Sequence, residues 1–430
     1  MQYEDYVHLN YTPRKSDLIC EFYADPSKNQ TLKRAAGAVA SESSVGTWTN
    51  VTTSTKKTGK LAAKVYEINS KNRIFKIAYP IDLFEPGNMP QILSSIAGNI
   101  FGMKIVDNLK LLDIHFPEKI INSFKGPEYG ILGIRKKLKI IDRPLVGTIV
   151  KPKVGLHPKE QARVAYNAWI GGCDIVKDDE NLSSLKFNKF RTRVIEVLKT
   201  KEKAEKITGE KKMYMPNITA ETFEMLRRMK FVKDHGGICT MVDILTMGWS
   251  SLQTVRNYND DLKLIIHAHR AGHAALTRER KHGISMLTIS KISRLIGVDQ
   301  LHIGTMIGKM QGKEEIPIID QEIEESMIMP KKGLFFIKGG HMLEQNWGKI
   351  KPVFAVCSGG LNPVHAPYLI NHLGRNIILQ FGGGIHGHKM GTIAGSRACR
   401  QAVNATLNGI SLQDYALNHK ELAQALKQWD

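Results

Sequence analysis

The sequence predicts an α/β protein in two parts: a C-terminal (β/α)8 TIM barrel over residues 127–430, and before it an N-terminal α+β domain over residues 1–126 with an antiparallel sheet. Three observations carry this. From about residue 138, eight short apolar runs alternate with helical patterns. Each gap is long enough for the crossover helix that parallel neighbours in one sheet require. The conspicuous polar residues of this region fall at the C-terminal ends of the runs, where such barrels carry their chemistry. Residues 1–125 lack that alternation.

In the N-terminal part, strand-like runs at 17–23, 62–69 and 73–81 mix with helical patterns near 31–42 and 89–98, and Gly126-Pro127 and Gly130 make the junction. The barrel runs are 144–150, 173–177, 212–218, 238–246, 263–269, 299–305, 353–358 and 377–382. The first leads into Lys151-Pro152-Lys153, whose proline fixes φ and donates no hydrogen bond. The second, Cys173-Asp174-Ile175-Val176-Lys177, runs directly into Asp178-Asp179-Glu180. The fifth closes on His267-Ala268-His269-Arg270, with His273 beyond. After the sixth, which contains His302, comes Gly308-Lys309-Met310-Gln311-Gly312. The seventh ends Ser358-Gly359-Gly360 and the eighth Gly382-Gly383-Gly384. No internal repeat or low-complexity segment interrupts the series.

The apolar fraction of 42% is ordinary for a globular protein. No run approaches the roughly 18 apolar residues of a membrane span. The start lacks the basic flank and apolar core of a signal peptide. The five cysteines (Cys20, Cys173, Cys239, Cys357, Cys399) form no CxxC pair, which suits reduced thiols and a cytoplasmic location. The +20 net charge could mark nucleic-acid binding. Its densest part, residues 186–212, carries ten Lys/Arg against four Glu with Val194, Ile195, Val197 and Leu198 between, and reads as the solvated face of an amphipathic helix.

Strand alternation projects Lys177 and Asp179 to one side, with Glu180 at the mouth. Two carboxylates suggest a hard divalent cation, Mg²⁺ most naturally. An ammonium would repel that cation, so Lys177 is useful only if neutral or converted by CO₂ into a carbamate. The plain alternative is a strand end whose charges pair with one another. Gly360, Gly382 and Gly383 offer backbone N–H groups unobstructed by side chains, which suits a phosphate, although glycine clusters are often only turns. His267 and His273 read as core or supporting histidines.

In order and spacing these segments resemble the large subunit of ribulose-1,5-bisphosphate carboxylase/oxygenase (RuBisCO). Gly37-Ala38-Val39-Ala40-Ser41-Glu42-Ser43-Ser44-Val45-Gly46-Thr47-Trp48-Thr49 and Gly98-Asn99-Ile100-Phe101-Gly102 resemble the family's N-terminal signatures, and the resemblance runs from about Tyr6 to about Ala402. It implies a ferredoxin-like N-terminal domain and carboxylation of ribulose 1,5-bisphosphate to two 3-phosphoglycerate, with O₂ entering a side reaction. It implies Mg²⁺ on Asp179, Glu180 and a Lys177 carbamylated by an activating CO₂, whose second oxygen takes the C3 proton. Asp178 should point the other way. Lys151 would protonate the carbanion left by C–C cleavage, with Lys153 in support. His269 would shuttle protons, Arg270 and His302 would hold one phosphate, and Gly359, Gly360, Gly382 and Gly383 the other. Ser358 would bind a substrate hydroxyl. Lys309, on a mobile lid, would stabilise the developing carboxylate. Glu42 and Asn99 as catalytic groups, with Thr47 and Trp48 as substrate contacts, would complete a neighbouring subunit's site. The assembly is then a homodimer or a larger homo-oligomer of dimers, with no small subunit, nucleic acid or membrane partner.

Departures are Gln311 where many relatives carry Glu, Ile149 in place of a threonine of plant-type chains, and an end soon after the last helix. These resemble the bacterial form II and archaeal form III or II/III groups; the archaeal-like groups, whose pathway is often nucleotide salvage instead of the Calvin cycle, fit better. Two rival readings remain. A RuBisCO-like enolase or isomerase of another sugar phosphate would typically have lost Lys309 or other site residues. A polyanion-binding protein on a retired enzyme fold rests on the charge alone.

Overall fold

All eight apolar runs of the C-terminal part form strands in the computed structural model, which describes residues 2–49, 51–308, 313–330 and 343–429. The strands are Leu145–Ile149, Ile175–Lys177, Met213–Met215, Cys239–Asp243, Ile265–His269, Gln300–Gly304, Phe354–Ser358 and Ile377–Phe381, taken below as the first to eighth barrel strands. Seven parallel ladders join them in chain order, the eighth strand returning to the first. The ring closes between the third and fourth strands through the Asn217–Met241 bridge, where Ile218 N donates to Met241 O at 3.0 Å and Met241 N to Pro216 O at 2.9 Å. This is the (β/α)8 barrel that the alternation implies.

Strand starts and the helix before them build the apolar floor. Leu145, Ile175, Met213, Cys239, Ile265, Phe354 and Ile378 form one buried cluster with Ile131, Ile134 and Leu138 of the helix Gly130–Leu138. Because side chains alternate along a strand, filling the floor with these residues leaves the inward positions nearer the C-terminal ends for polar groups. The basic run lies on the helix Phe190–Thr208, whose buried face carries Val194, Val197, Leu198 and Ala204 while Arg191, Lys199, Lys203 and Lys206 are exposed. All five cysteines are buried and free of disulfides. Among the described residues, no helix is long and apolar enough to cross a membrane.

The barrel belongs to one of two compact units, made of Gly126–Ala271, Gly297–Glu324 and Lys351–Asp430; the other gathers Met1–Lys125, Gly272–Ile296 and Glu325–Ile350. In that other unit β1 (Leu18–Pro26), β2 (Lys64–Asn69), β3 (Ile74–Tyr79) and β4 (Val106–His115) form an antiparallel sheet of order β4-β1-β3-β2. Helices Leu32–Glu42 and Met89–Ile96 supply the two crossovers of a β-α-β-β-α-β arrangement.

The sequence reading has no strand where β4 lies. Its pattern is disguised because two inward positions are charged. Lys110 Nζ donates to the carbonyls of Thr277 and Glu279, and Asp113 pairs with Lys291 at 2.8 Å with both side chains fully buried. These partners come from residues 272–296 of the same unit, where the strand Gly283–Ile284 also pairs in parallel with β4. A strand whose buried charged side chains find their partners 160 or more residues away carries no local signal; Lys110 and Thr277 are separated by 167.

Candidate active site

The second barrel strand delivers the central group. Ile175 joins the apolar floor, so alternation turns Lys177 and Asp179 inward above it. Lys177 is fully buried; its Nζ donates to Asp178 O at 2.8 Å, lies 3.3 Å from Met241 Sδ and 3.9 Å from Glu180 Oε2. Burial holds this ammonium below the ordinary lysine range, reinforced by the charge of Lys151 and opposed by Glu180, Asp243 and Asp179. Asp179 Oδ2 accepts from Lys151 Nζ at 2.6 Å. Burial works against ionisation of Glu180, but His269 and Lys177 outweigh it and keep the carboxyl below its usual range. Among the described residues no group of three or more His, Cys, Asp or Glu side chains is arranged to hold a metal. A cation here would have to draw on Asp179, Glu180 and a donor made from Lys177.

Asp178 points away from this centre, as alternation requires. Its carboxylate accepts from Arg193 Nε at 3.0 Å, Gln161 Nε2 at 3.0 Å, Tyr214 OH at 2.8 Å and Asn217 N at 3.1 Å, pinning the strand end to the helix layer. Breaking one side of a fully buried ion pair leaves an uncompensated charge. Arg193→Met should therefore lower the unfolding free energy by about 3–5 kcal/mol in urea denaturation. A loss under about 1 kcal/mol, the scale of an exposed pair, would mean that this pair does not hold the strand end.

The fifth and sixth strands bring three histidines together. His269 Nδ1 lies 2.7 Å from Asp243 Oδ1 and its Nε2 3.7 Å from Glu180 Oε2. The His302 ring sits 4.8 Å from those of His269 and His267. Both nitrogens of His302 are engaged, Nε2 with His267 Nε2 at 2.9 Å and Nδ1 with Ser358 Oγ at 2.8 Å, while His267 Nδ1 meets Gln300 Oε1 at 2.8 Å. Burial holds His302 and His267 far below the usual histidine range, so both rings are neutral at physiological pH. Arg270 is buried too, which pushes its guanidinium down to about 10 and still leaves it cationic. Gly304 lies beside that guanidinium with φ +103°, a backbone conformation that favours glycine.

The glycine segments approach these groups. A Cβ on Gly382 would stand 3.5 Å from Lys151 Cε, and a Cβ on Gly308 would stand 2.6 Å from Gly359 O. Gly359 and Gly360 have φ +123° and +82°, and Gly383 opens the short helix Gly383–His386. Lys153 is exposed in the loop after the first strand. Glu42 ends the helix Leu32–Glu42, Thr47 and the 83% exposed Trp48 follow it, and Asn99 begins the 3-10 helix Asn99–Gly102; all four belong to the other compact unit. Lys309 and Gln311 lie outside the described residues.

The structure links Lys151, Lys177, Asp179, Glu180, His269, His302 and Ser358 through close contacts and sets Asp243, Asn217 and Gln300, which the sequence reading does not name, against them. Asp243 could have been found: it is the one carboxylate inside the fourth run, 238–246, two residues past the inward Met241, and it ends the fourth strand. Asn217 and Gln300 are legible only through partners. Asn217 Nδ2 donates to Glu180 O at 3.1 Å, within reach of Asp179 O at 3.4 Å.

Two family profiles match the chain: "Ribulose bisphosphate carboxylase large chain, N-terminal domain" over residues 5–120 and the catalytic domain of the same chain over residues 130–429. The ribulose bisphosphate carboxylase of Methanosarcina mazei is 51% identical over 429 residues, 99% of each chain. That of Methanocaldococcus jannaschii is 49% identical over 435 residues, 99% of this chain and 100% of the relative. The solved dimeric archaeal Rubisco of Hyperthermus butylicus matches with a TM-score of 0.94 at 45% identity, over 100% of this chain and 99% of that one. The octameric ribulose-1,5-bisphosphate carboxylase/oxygenase of Pyrococcus horikoshii, in complex with a sulfate ion, matches with 0.91 at 42%, over 100% and 97%.

Proposed function

The chain belongs to the ribulose bisphosphate carboxylase large-chain family, and on that premise we propose that it converts ribulose 1,5-bisphosphate, CO₂ and water into two molecules of 3-phosphoglycerate, with O₂ competing for the same enediolate. The observation that carries this reading is Lys177, a fully buried amine 3.9 Å from Glu180 on the strand that also presents Asp179. Burial favours loss of its proton. The free amine then adds CO₂: an N–C bond forms, a nitrogen proton leaves for solvent, and the product is an anionic carbamate. That change turns a cation-repelling group into an oxygen donor beside two carboxylates. The resulting all-oxygen set fits Mg²⁺. Magnesium, when bound there, would polarise the C2 carbonyl of the sugar bisphosphate and acidify the C3 proton.

The chain's own groups do the rest. The second carbamate oxygen accepts the C3 proton, and His269 Nε2 passes protons between substrate oxygens. Lys151, once released from Asp179, donates the proton that quenches the carbanion after C–C cleavage, with Lys153 beside the reacting groups. Arg270 and His302 take one phosphate, with Ser358 Oγ 2.8 Å from His302 Nδ1 beside them. Gly359, Gly360, Gly382 and Gly383 take the other through backbone N–H groups. Ser358 contacts a substrate hydroxyl. Glu42, Thr47, Trp48 and Asn99 complete the site of a second copy in a homodimer, a reading supported by the dimeric and octameric relatives.

Lys309 is proposed on resemblance alone as the ammonium that meets the developing carboxylate. Lys309→Met should still exchange the C3 proton with solvent while product formation drops severely, because only CO₂ capture uses that charge. Carboxylation close to wild type would remove this role.

The direct test is incorporation of labelled CO₂ into 3-phosphoglycerate from ribulose bisphosphate after preincubation with bicarbonate and Mg²⁺. Labelled product is expected; its absence from folded, preincubated protein overturns the reading.

A further inference from the structure

We infer that Asp243 is the positioning residue that holds a proton on Nδ1 of His269 and so makes Nε2 the nitrogen that exchanges protons; the catalytic consequence rests on the function proposed above. Asp243 and His269 are register partners at the ends of the fourth and fifth barrel strands. The buried Asp243 Oδ1 stands 2.7 Å from His269 Nδ1. A carboxylate only accepts, so the proton of this contact is on Nδ1, and Nε2 is the nitrogen left to take up and release a proton. That nitrogen faces Glu180 Oε2 at 3.7 Å, too far for a hydrogen bond.

The carboxylate is itself held in one orientation. Thr219 Oγ1 accepts from Asp243 N at 3.0 Å, so the hydroxyl proton is available for Asp243 Oδ2 at 3.4 Å. Asn217 Oδ1 accepts from Thr219 N at 3.0 Å, which turns the Asn217 amide nitrogen toward Asp243 Oδ2 at 3.5 Å. Two donors therefore point at Oδ2 and one ring N–H at Oδ1. This arrangement decides what an amide would do at position 243. Its oxygen is drawn to the two donors, its NH₂ is placed at His269 Nδ1, and the ring proton is forced onto Nε2. The base is lost while the packing is kept.

Asp243→Asn is thus expected to lower kcat by about 10²–10⁴-fold, the range of a general base and of the same substitution in the Ser-His-Asp triad, with KM for ribulose bisphosphate nearly unchanged. Neutron diffraction from deuterated crystals reads the cause independently of turnover. The wild type should carry a deuteron on His269 Nδ1, and Asp243→Asn should lack it there and carry one on Nε2. A wild-type ring with no deuteron on Nδ1, or a variant whose kcat stays within threefold of wild type, overturns the inference. If the variant does not fold, the wild-type map alone decides the tautomer. Failure of the wild type to make 3-phosphoglycerate would instead strike the proposed function and leave the tautomer assignment standing.

Discussion

Lys177→Ala is expected to lower carboxylation by at least about 10⁴-fold, since one deletion removes a base contribution of about 10²–10⁴ and the oxygen donor that completes the cation site. The methyl group cannot add CO₂, so Asp179 and Glu180 remain as two carboxylates without a third donor. Wild-type protein should gain activity slowly during preincubation with bicarbonate and Mg²⁺, because carbamate formation precedes cation binding. Chelation should reverse that gain, and the variant should show neither behaviour. The direction of the pKa displacement adds a pH signature. Burial holds the Lys177 amine below the ordinary lysine range, so the reactive neutral amine becomes available at a lower pH than an exposed lysine would allow. The activation rate should rise with pH through the depressed pKa and level off above it. Labelled CO₂ incorporation measures all three. A variant retaining a tenth of wild-type activity, or a wild type indifferent to preincubation, would show that the chemistry does not pass through this lysine.

Glu42→Gln should also be inactive as a homodimer, and mixing it with Lys177→Ala should restore activity. On the shared-site proposal, each site takes Glu42 from one copy and Lys177 from the other. A mixed dimer then collects both lesions in one site and leaves its second site intact. Random co-assembly of equal amounts should recover roughly a quarter of wild-type sites, the binomial expectation for a two-fold dimer. Differently tagged chains allow mixed dimers to be purified, in which half of the sites should work. No recovery in demonstrated mixed dimers would mean that Glu42 serves its own subunit's barrel.

What the sequence determined by itself rests on local periodicity. Eight apolar runs with helix-length gaps fix a parallel barrel, because each strand must reach the next through a crossover on the same face. Alternation along the second strand is enough to set Lys177 and Asp179 on one side and Asp178 on the other. Both statements concern neighbours in the chain, and both agree with the structure. The tertiary structure decided what depends on partners. Val106–His115 is a strand although Lys110 and Asp113 are buried in it, because residues 272–296 supply carbonyl acceptors to the first and an ion-pair partner to the second. Asp243 meets His269 across adjacent strands, 26 residues apart, and Lys151 meets Asp179 at a separation of 28. His302 spends both ring nitrogens on His267 and Ser358, which no spacing announces. A hydrogen bond between strand ends depends on ladder register and barrel closure, and these are set by the whole ring of strands packing over one apolar floor.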